Sequence, residues 1–215
     1  MQHTSFTRWP IVLAVASLLL WCGFALAQPA RIGQVAALQG QATVKRAGSP
    51  QASPLSLQQP VFQEDVIETA AASKIKLLLV DGTELSLGAQ GTMTLSKLVY
   101  APQQQKHQGV VGIAQGIFRA VTPRLIPQTN FEVHTATAVA AVRGTQWLGE
   151  VTPDATGIVV LQGAVAVVHA NARIRGEAVL QVGEGTDVVG QQPPTAPKPW
   201  KQERISKLVQ ATELR

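Results

Sequence analysis

The sequence has a single cysteine, Cys22, among its 215 residues, and this scarcity excludes several kinds of structure. Cys22 lies in an apolar N-terminal stretch that we expect to be removed, so the mature chain would contain no cysteine. A disulfide framework, a zinc site built on thiolates and a cysteine nucleophile are then all excluded. The mature protein must instead be held together by a hydrophobic core, and a chain of this length can bury one.

Charged residues are also scarce, at 14% of the chain, and aromatic residues make up only 5%. The formal net charge is +5 at pH 7, but the lysines and arginines are scattered and form no dense block. Nucleic-acid-binding proteins usually gather basic residues on one face and add aromatic side chains that stack on bases. We therefore expect no nucleic-acid partner.

The N-terminal stretch has the order of features that defines a secretory signal peptide. Arg8 is followed by an unbroken apolar run from Ile11 to Leu20 and then by the small–x–small step Ala25-Leu26-Ala27. The apolar region only reaches the lower limit of about 17 residues for a membrane-spanning helix, which favours cleavage over a retained anchor. We predict a signal peptide over residues 1–27, export to the periplasm, and membrane contact only through this peptide before cleavage.

What the rest of the chain does contain is a rhythm of short apolar runs broken by glycine. Ile75, Leu77 and Leu79 alternate along one such run, and Asp81-Gly82 follows before the alternation resumes. An Asp-Gly pair between alternating runs predicts a tight turn, because glycine accepts the positive φ that the turn needs. Short, β-branched runs of this kind predict an all-β domain over residues 28–190.

A weak internal similarity bears on how the strands are arranged. The segment "ALQGQATVKRAG" at residues 37–48 resembles "VLQGAVAVVHAN" at residues 160–171. Any pair of strands joined at a glycine could look alike, but the similarity suggests stacked or wound β units. We predict an elongated, solenoid-like or roll β domain, with a β-sandwich as the alternative.

The C-terminal part has a different composition. Residues 191–199 are rich in proline and predict a stiff linker, and residues 200–215 predict a short amphipathic helix. The face of this helix that we expect to be apolar contains Ile205, Leu208, Val209 and Thr212. Such a face most often packs on its own domain, although Trp200 and the helix could also dock on a partner.

The sequence shows no pattern of residues that points to an enzyme. The nucleophile elbow, the zinc-protease helix, the P-loop and the dinucleotide fingerprint are all missing. Asp81 is explained by its turn, and the adjacent Glu64 and Asp65 would point to opposite faces of a strand. The histidines of the mature chain lie far apart in sequence, at positions 107, 134 and 169. We expect a non-enzymatic protein with no cofactor and no metal site.

Five segments, taken in order, follow a known pattern: "GQATVKRAG", "VFQEDVIETAAASKIKLLLVDGTELSLG", "GIAQGIFRAVTP", "FEVHTATAVAAVRGTQW" and "GIVVLQGAVAVV". Together they resemble the FecR domain family of bacterial exported and periplasmic proteins. The most specific part is the step formed by Val142, Arg143, Gly144, Thr145, Gln146 and Trp147. The resemblance covers residues 32–189 and implies an all-β protein-interaction or sensing module whose partners are envelope proteins.

The chain departs from the family pattern in two respects. Ala136 stands where many members have proline. Members that relay a signal to a sigma factor have a cytoplasmic segment, whereas only a handful of residues precede the apolar run here. The resemblance therefore implies the exported β module, and it leaves open whether the protein regulates a sigma factor.

Arg143 admits two interpretations. Its small apolar neighbours predict a buried strand, and a buried arginine must be paired, so we expect its donors to reach backbone carbonyls while Gly144 permits a bend. The alternative is an exposed Arg143 that binds a carboxylate of a partner, with Trp147 and Trp200 as further possible contacts.

Two other functions remain open at this point. A glycan- or peptidoglycan-binding module would need exposed aromatic rings, and the mature chain offers Tyr100, Trp147 and Trp200. An envelope hydrolase would need a catalytic set, and none is visible.

Overall fold

The computed structural model describes residues 30–101, 103, 106–123 and 129–214. The predicted signal peptide, and Cys22 with it, lie outside the described residues. Within them, no helix is long and apolar enough to cross a membrane. The described strands and the helix are β1 (Arg31–Gln39), β2 (Ala42–Lys45), β3 (Ala52–Pro54), β4 (Pro60–Phe62), β5 (Val66–Thr69), β6 (Lys74–Leu79), β7 (Glu84–Leu87), β8 (Thr92–Ala101), β9 (Lys106–Val121), β10 (Thr129–His134), β11 (Ala138–Val142), β12 (Gln146–Thr152), β13 (Ala155–Gln162), β14 (Val165–His169), β15 (Glu177–Leu180), β16 (Glu184–Val189), β17 (Lys198–Pro199) and α1 (Gln202–Thr212).

The strands form two sheets that share β9. Sheet A has the order β4-β1-β6-β7-β9-β12-β13-β16-β17. Sheet B has the order β3-β2-β5-β8-β9-β10-β11-β14-β15. Neighbouring strands are antiparallel, except that β10 runs parallel to β9. The prediction of an all-β protein with a short C-terminal helix is confirmed.

The long strand β9 crosses from sheet B to sheet A at Gln115-Gly116. Gln115 pairs with Thr92 in sheet B, and Gly116 pairs with Val151 in sheet A. Gly116 has φ +106°, and a Cβ atom there would lie 2.6 Å from Cα of Gly91. Both the conformation and the close approach require glycine at this crossing.

Two other Gln-Gly pairs also stand where the chain passes between the sheets. Gly40 (φ +75°) joins β1 of sheet A to β2 of sheet B, and Gly163 (φ +86°) joins β13 to β14 in the same sense. These are the two segments that resemble each other in sequence. β1 pairs with β4 as β13 pairs with β16, and β2 pairs with β3 as β14 pairs with β15. The similarity thus reflects equivalent places in the topology.

Inward-facing residues of both sheets belong to one hydrophobic core. Alternation along each strand produces it: in β6, for example, Ile75, Leu77 and Leu79 are buried, as the sequence pattern predicts. The predicted turn lies between β6 and β7, where Gly82 has φ +81°. The largest fully buried side chains are those of Trp147, Phe118 and Phe131.

The helix α1 covers the outer face of sheet A. Ile205 and Leu208 pack with Leu148 and Val159 of the sheet in a second, smaller apolar cluster. The helix is shorter than the predicted range of 200–215 but buries the predicted face. The proline-rich segment that precedes the helix runs alongside β16. Oγ1 of Thr195 accepts a hydrogen bond from the backbone N–H of Asp187, and β17 pairs with β16.

Candidate functional site

The turn between β11 and β12 contains the segment that stands out most in the sequence. Val142, at the end of β11, and Thr145, just before β12, are both buried, and Gly144 makes the bend between them with φ +64°. Arg143, between them, is exposed and donates no hydrogen bond to any described residue. The expectation of a buried, paired arginine is therefore wrong, whereas the bend at Gly144 is as expected.

Thr145 ties this turn to the end of β9. The backbone N–H of Thr122 donates to the carbonyl of Thr145 (2.9 Å), and the N–H of Thr145 donates to Oγ1 of Thr122 (3.1 Å). Gly163 packs directly on the turn, because a Cβ atom there would lie 2.6 Å from Cγ2 of Thr145 and 3.0 Å from the carbonyl oxygen of Gly144. The turn that carries Arg143 is thus held in place by its neighbours while the arginine side chain is left outside.

Both tryptophans that the sequence suggested as partner contacts lie inside the fold. Trp147 is fully buried, and its ring meets Phe118 edge to face at 5.0 Å. Trp200 is 8% exposed and lies under Arg204, whose guanidinium carbon is 3.4 Å from the ring centroid. Neither indole presents a surface to a partner in this structure.

The outer face of sheet B, in contrast to that of sheet A, is not covered by the helix. Its strand β10 carries Glu132 and His134, whose Oε2 and Nε2 atoms are 2.7 Å apart. Asn130 donates a second hydrogen bond to Glu132 Oε1 at 2.9 Å. The hydrogen bond with His134 lowers the pKa of Glu132; Asn130 acts in the same direction, and partial burial opposes them. A carboxylate that stays ionised is therefore displayed on this face.

Small residues surround this pair. Val110 and Ala141 flank Glu132 on the neighbouring strands, and Gly112 and Val139 flank His134. On β11, Val139 and Ala141 are half-buried and point outward, and the exposed Arg143 comes next in this alternation. Around the Glu132–His134 pair this face therefore carries small side chains, and the cationic Arg143 lies where β11 ends.

One buried polar pair was not predicted. His107 Nε2 lies 2.5 Å from Asp81 Oδ2, and both side chains are inaccessible to solvent. Asp81 also accepts hydrogen bonds from the backbone N–H and the hydroxyl of Thr83, both at 2.9 Å. The pair joins the β6–β7 turn of sheet A to the start of β9 in sheet B. With no access for a substrate, it can only hold the two sheets together.

A second buried carboxylate belongs to Asp65. Burial raises its pKa, while a hydrogen bond from the N–H of Phe62 and the positive charge of Arg46 oppose the increase. Arg46 forms an ion pair with Asp65 and also donates to the carbonyl of Pro60 at 3.0 Å. Glu64 is exposed and Asp65 is buried, but both lie in the turn between β4 and β5, so the expectation that they occupy a strand is wrong. The ion pair of Arg46 and Asp65 is structural.

In the part of the chain that the structure describes, no group of three or more His, Cys, Asp or Glu side chains is placed to hold a metal ion. The residues suggested by the sequence separate into two sets. Asp81, Gly82, Val142, Gly144, Thr145 and Trp147 shape or fill the fold. Arg143 is the one among them that is available to another molecule.

Comparison with known proteins gives a match to a family model over part of the chain and a similar fold among solved structures. Residues 65–166, just under half of the chain, match the family model described as FecR protein. No curated protein matches the chain. Two crystal structures of a candidate anti-sigma factor from Parabacteroides distasonis ATCC 8503 have a similar fold, each with a TM-score of 0.55 and 18% identity. Each match covers 67% of this chain and 64% of the other, so this chain spans slightly less than two thirds of the solved protein.

Proposed function

We propose that this chain, whose residues 65–166 match the FecR family model, is an exported, non-enzymatic protein-interaction and sensing module of the bacterial cell envelope. Its partners are envelope proteins. The candidate anti-sigma factor that shares its fold supports a role in signalling through contacts with other proteins.

The observation that carries the proposal is the exposure of Arg143 on a fixed turn. A guanidinium has five donors in a planar fork and can bind a carboxylate through two parallel hydrogen bonds. Arginine is also among the residues that contribute most to protein interfaces. Because Gly144 and Thr145 fix the backbone beside it, little backbone freedom is lost when the side chain is engaged.

Capture of partners from envelope extracts tests this function. Arg143→Ala should weaken binding of the captured protein by about 2 kcal/mol, roughly thirtyfold, while thermal stability stays close to that of the wild type. Arg173→Ala is the matched control, since Arg173 is also exposed but lies in the loop before β15. If both variants bind as the wild type does, Arg143 is not the contact.

The location is tested separately. Cell fractionation and N-terminal sequencing should find the protein in the periplasm with Gln28 as its first residue. A protein that remains in the cytoplasm with residues 1–27 intact would overturn the proposal of export.

The structure offers little support for binding to glycan. Sugar-binding sites use exposed aromatic rings, but Trp147 and Trp200 are buried and Tyr100 is half-buried with its ring against that of His107. Retention on purified peptidoglycan, without recovery of any envelope protein, would favour the glycan function over the one proposed here.

A further inference from the structure

The edges of the two sheets differ in how they are protected. An edge strand presents unpaired backbone groups to other chains, and proline is one of the residues that protects it. Of the four described edge strands, three contain a proline: Pro54 in β3, Pro60 in β4 and Pro199 in β17. The fourth, β15 at the edge of sheet B, has none.

Exposed valines gather at this same edge. Val179 in the middle of β15 is 51% exposed, Val168 on the neighbouring strand is 38% exposed, and Val182 just beyond β15 is 63% exposed. They are three of the seven large hydrophobic residues that the described surface exposes. An unprotected edge with an apolar border is suited to pairing with another strand.

The rest of the chain, as far as the structure describes it, leaves the edge free. The proline-rich segment passes the start of β15, since a Cβ atom on Gly176 would lie 3.0 Å from Cβ of Pro193. It then turns to sheet A, where Thr195 hydrogen-bonds with Thr186 and Asp187 of β16. Among the described strands, only β14 pairs with β15.

We propose that β15 is a dimerisation edge, at which a second copy of this chain adds its own β15 in antiparallel register and extends sheet B across a twofold axis. This inference goes beyond the proposed function and does not depend on it.

The sequence of β15 complements itself in one register. Ala178 and Leu180 face the core, whereas Glu177 and Val179 point outward. With Val179 opposite Val179 of the second copy, Glu177 meets Gln181 and Ala178 meets Leu180, so that apolar residues stay on the core side. A register centred on Glu177 would place two carboxylates in direct opposition, which destabilises a strand pair.

The dimer is expected to be weak. β15 has four residues, so the new contact is small, and small interfaces give transient association. The molecular mass measured by analytical ultracentrifugation should therefore rise with protein concentration. The sample is the full protein in the form that its own cells produce.

Charge variants at position 179 test the register. Val179→Lys and Val179→Glu each place like charges opposite one another at the axis, and each should weaken self-association roughly tenfold. An equimolar mixture of the two should recover dimers, because opposite charges then face. Val189→Lys is the matched control: Val189 is 50% exposed but belongs to β16 in sheet A, and its substitution should leave self-association unchanged.

Three results would overturn the proposal. The wild type could stay monomeric at every concentration, the mixture could fail to form dimers, or Val189→Lys could act like Val179→Lys. The first of these results has a special case, in which the wild type stays monomeric and Val179→Lys no longer captures an envelope protein. The edge then pairs with a strand of a different protein, which contradicts self-pairing and leaves the proposed function standing.

Discussion

At the scale of single residues, glycine is required at the corners between the sheets for two separable reasons. One is backbone conformation, since a positive φ strains any residue that has a Cβ atom. The other is space, since neighbouring atoms occupy the place that a side chain would take. Gly163 and Gly183 separate the two: their φ angles are +86° and +82°, but only Gly163 has neighbours within 4 Å of the missing Cβ.

Alanine substitutions at these two positions should therefore differ in cost. Gly183→Ala should lower the free energy of unfolding by about 1–2 kcal/mol through backbone strain alone. Gly163→Ala should lower it by a further ~1–3 kcal/mol, because the methyl group would overlap Thr145 and the carbonyl of Gly144. Urea unfolding measures both values. Equal losses would show that Gly163 does not hold the turn of Arg143.

The misjudged burial of Arg143 has a physical cause. Its small neighbours Ala141 and Val139 resemble core residues in the sequence, but they lie half-buried on the outer face of sheet B. The true core positions of β11 are Ala138, Ala140 and Val142, which have the same size and polarity. Composition alone does not separate the two faces of such a strand. The only residue that distinguished the outer face from the core face was Arg143 itself, since an unpaired arginine is costly in a core.

The buried pair of Asp81 and His107 shows a second limit. Asp81 is explained in the sequence by the turn that it makes with Gly82, and it does make that turn. His107 follows a polar stretch that resembles a surface loop, and 26 positions separate it from Asp81. Only the crossing of β9 between the sheets brings the side chains of Asp81 and His107 together, and no local sequence pattern predicts that crossing.

At the scale of elements, the helix α1 is attached at both ends. Just before the helix, the ring of Trp200 packs directly against the backbone of Gly185, where a Cβ atom would lie only 2.4 Å from the ring. At the other end, Lys74 Nζ of β6 donates to the backbone carbonyl of Gln210 at 2.5 Å. This lysine supplies a donor and a positive charge where a helix has free carbonyls and a negative dipole end. The periodicity of residues 200–215 predicted the buried face but could not predict these partners in distant strands.

Because α1 packs in a cluster separate from the main core, we expect it to detach without unfolding the sheets. Leu208 is fully buried in that cluster, and Leu208→Ala should weaken the docking by about 2–5 kcal/mol. In hydrogen exchange, amides of residues 202–212 should then lose protection while those of β9 keep it. Lys207→Ala, at a largely exposed position, is the control. Equal loss of protection in β9 would mean that helix and sheets unfold as one.

At the scale of the whole molecule, β9 is the element that makes two sheets into one unit. It pairs with β8 and β10 in sheet B and with β7 and β12 in sheet A. The apolar alternation of the chain predicted the all-β class, because the apolar residues of each strand identify its buried face from local sequence alone. It did not predict a strand of 16 residues here, since the start of β9 resembles a loop and Gly116 resembles a break.

A shared central strand predicts cooperative unfolding of both sheets. Gly116→Ala places a methyl group 2.6 Å from Cα of Gly91 at the crossing, and it should destabilise the protein by several kcal/mol. Gly112→Ala is the control, since it lies in the same strand with no neighbour of its Cβ closer than 3.6 Å. In both variants, urea transitions followed by far-UV circular dichroism and by tryptophan fluorescence should coincide, with the midpoint shifted only in Gly116→Ala. Separate transitions in Gly116→Ala would mean that the sheets are stable independently and that β9 joins them without coupling them.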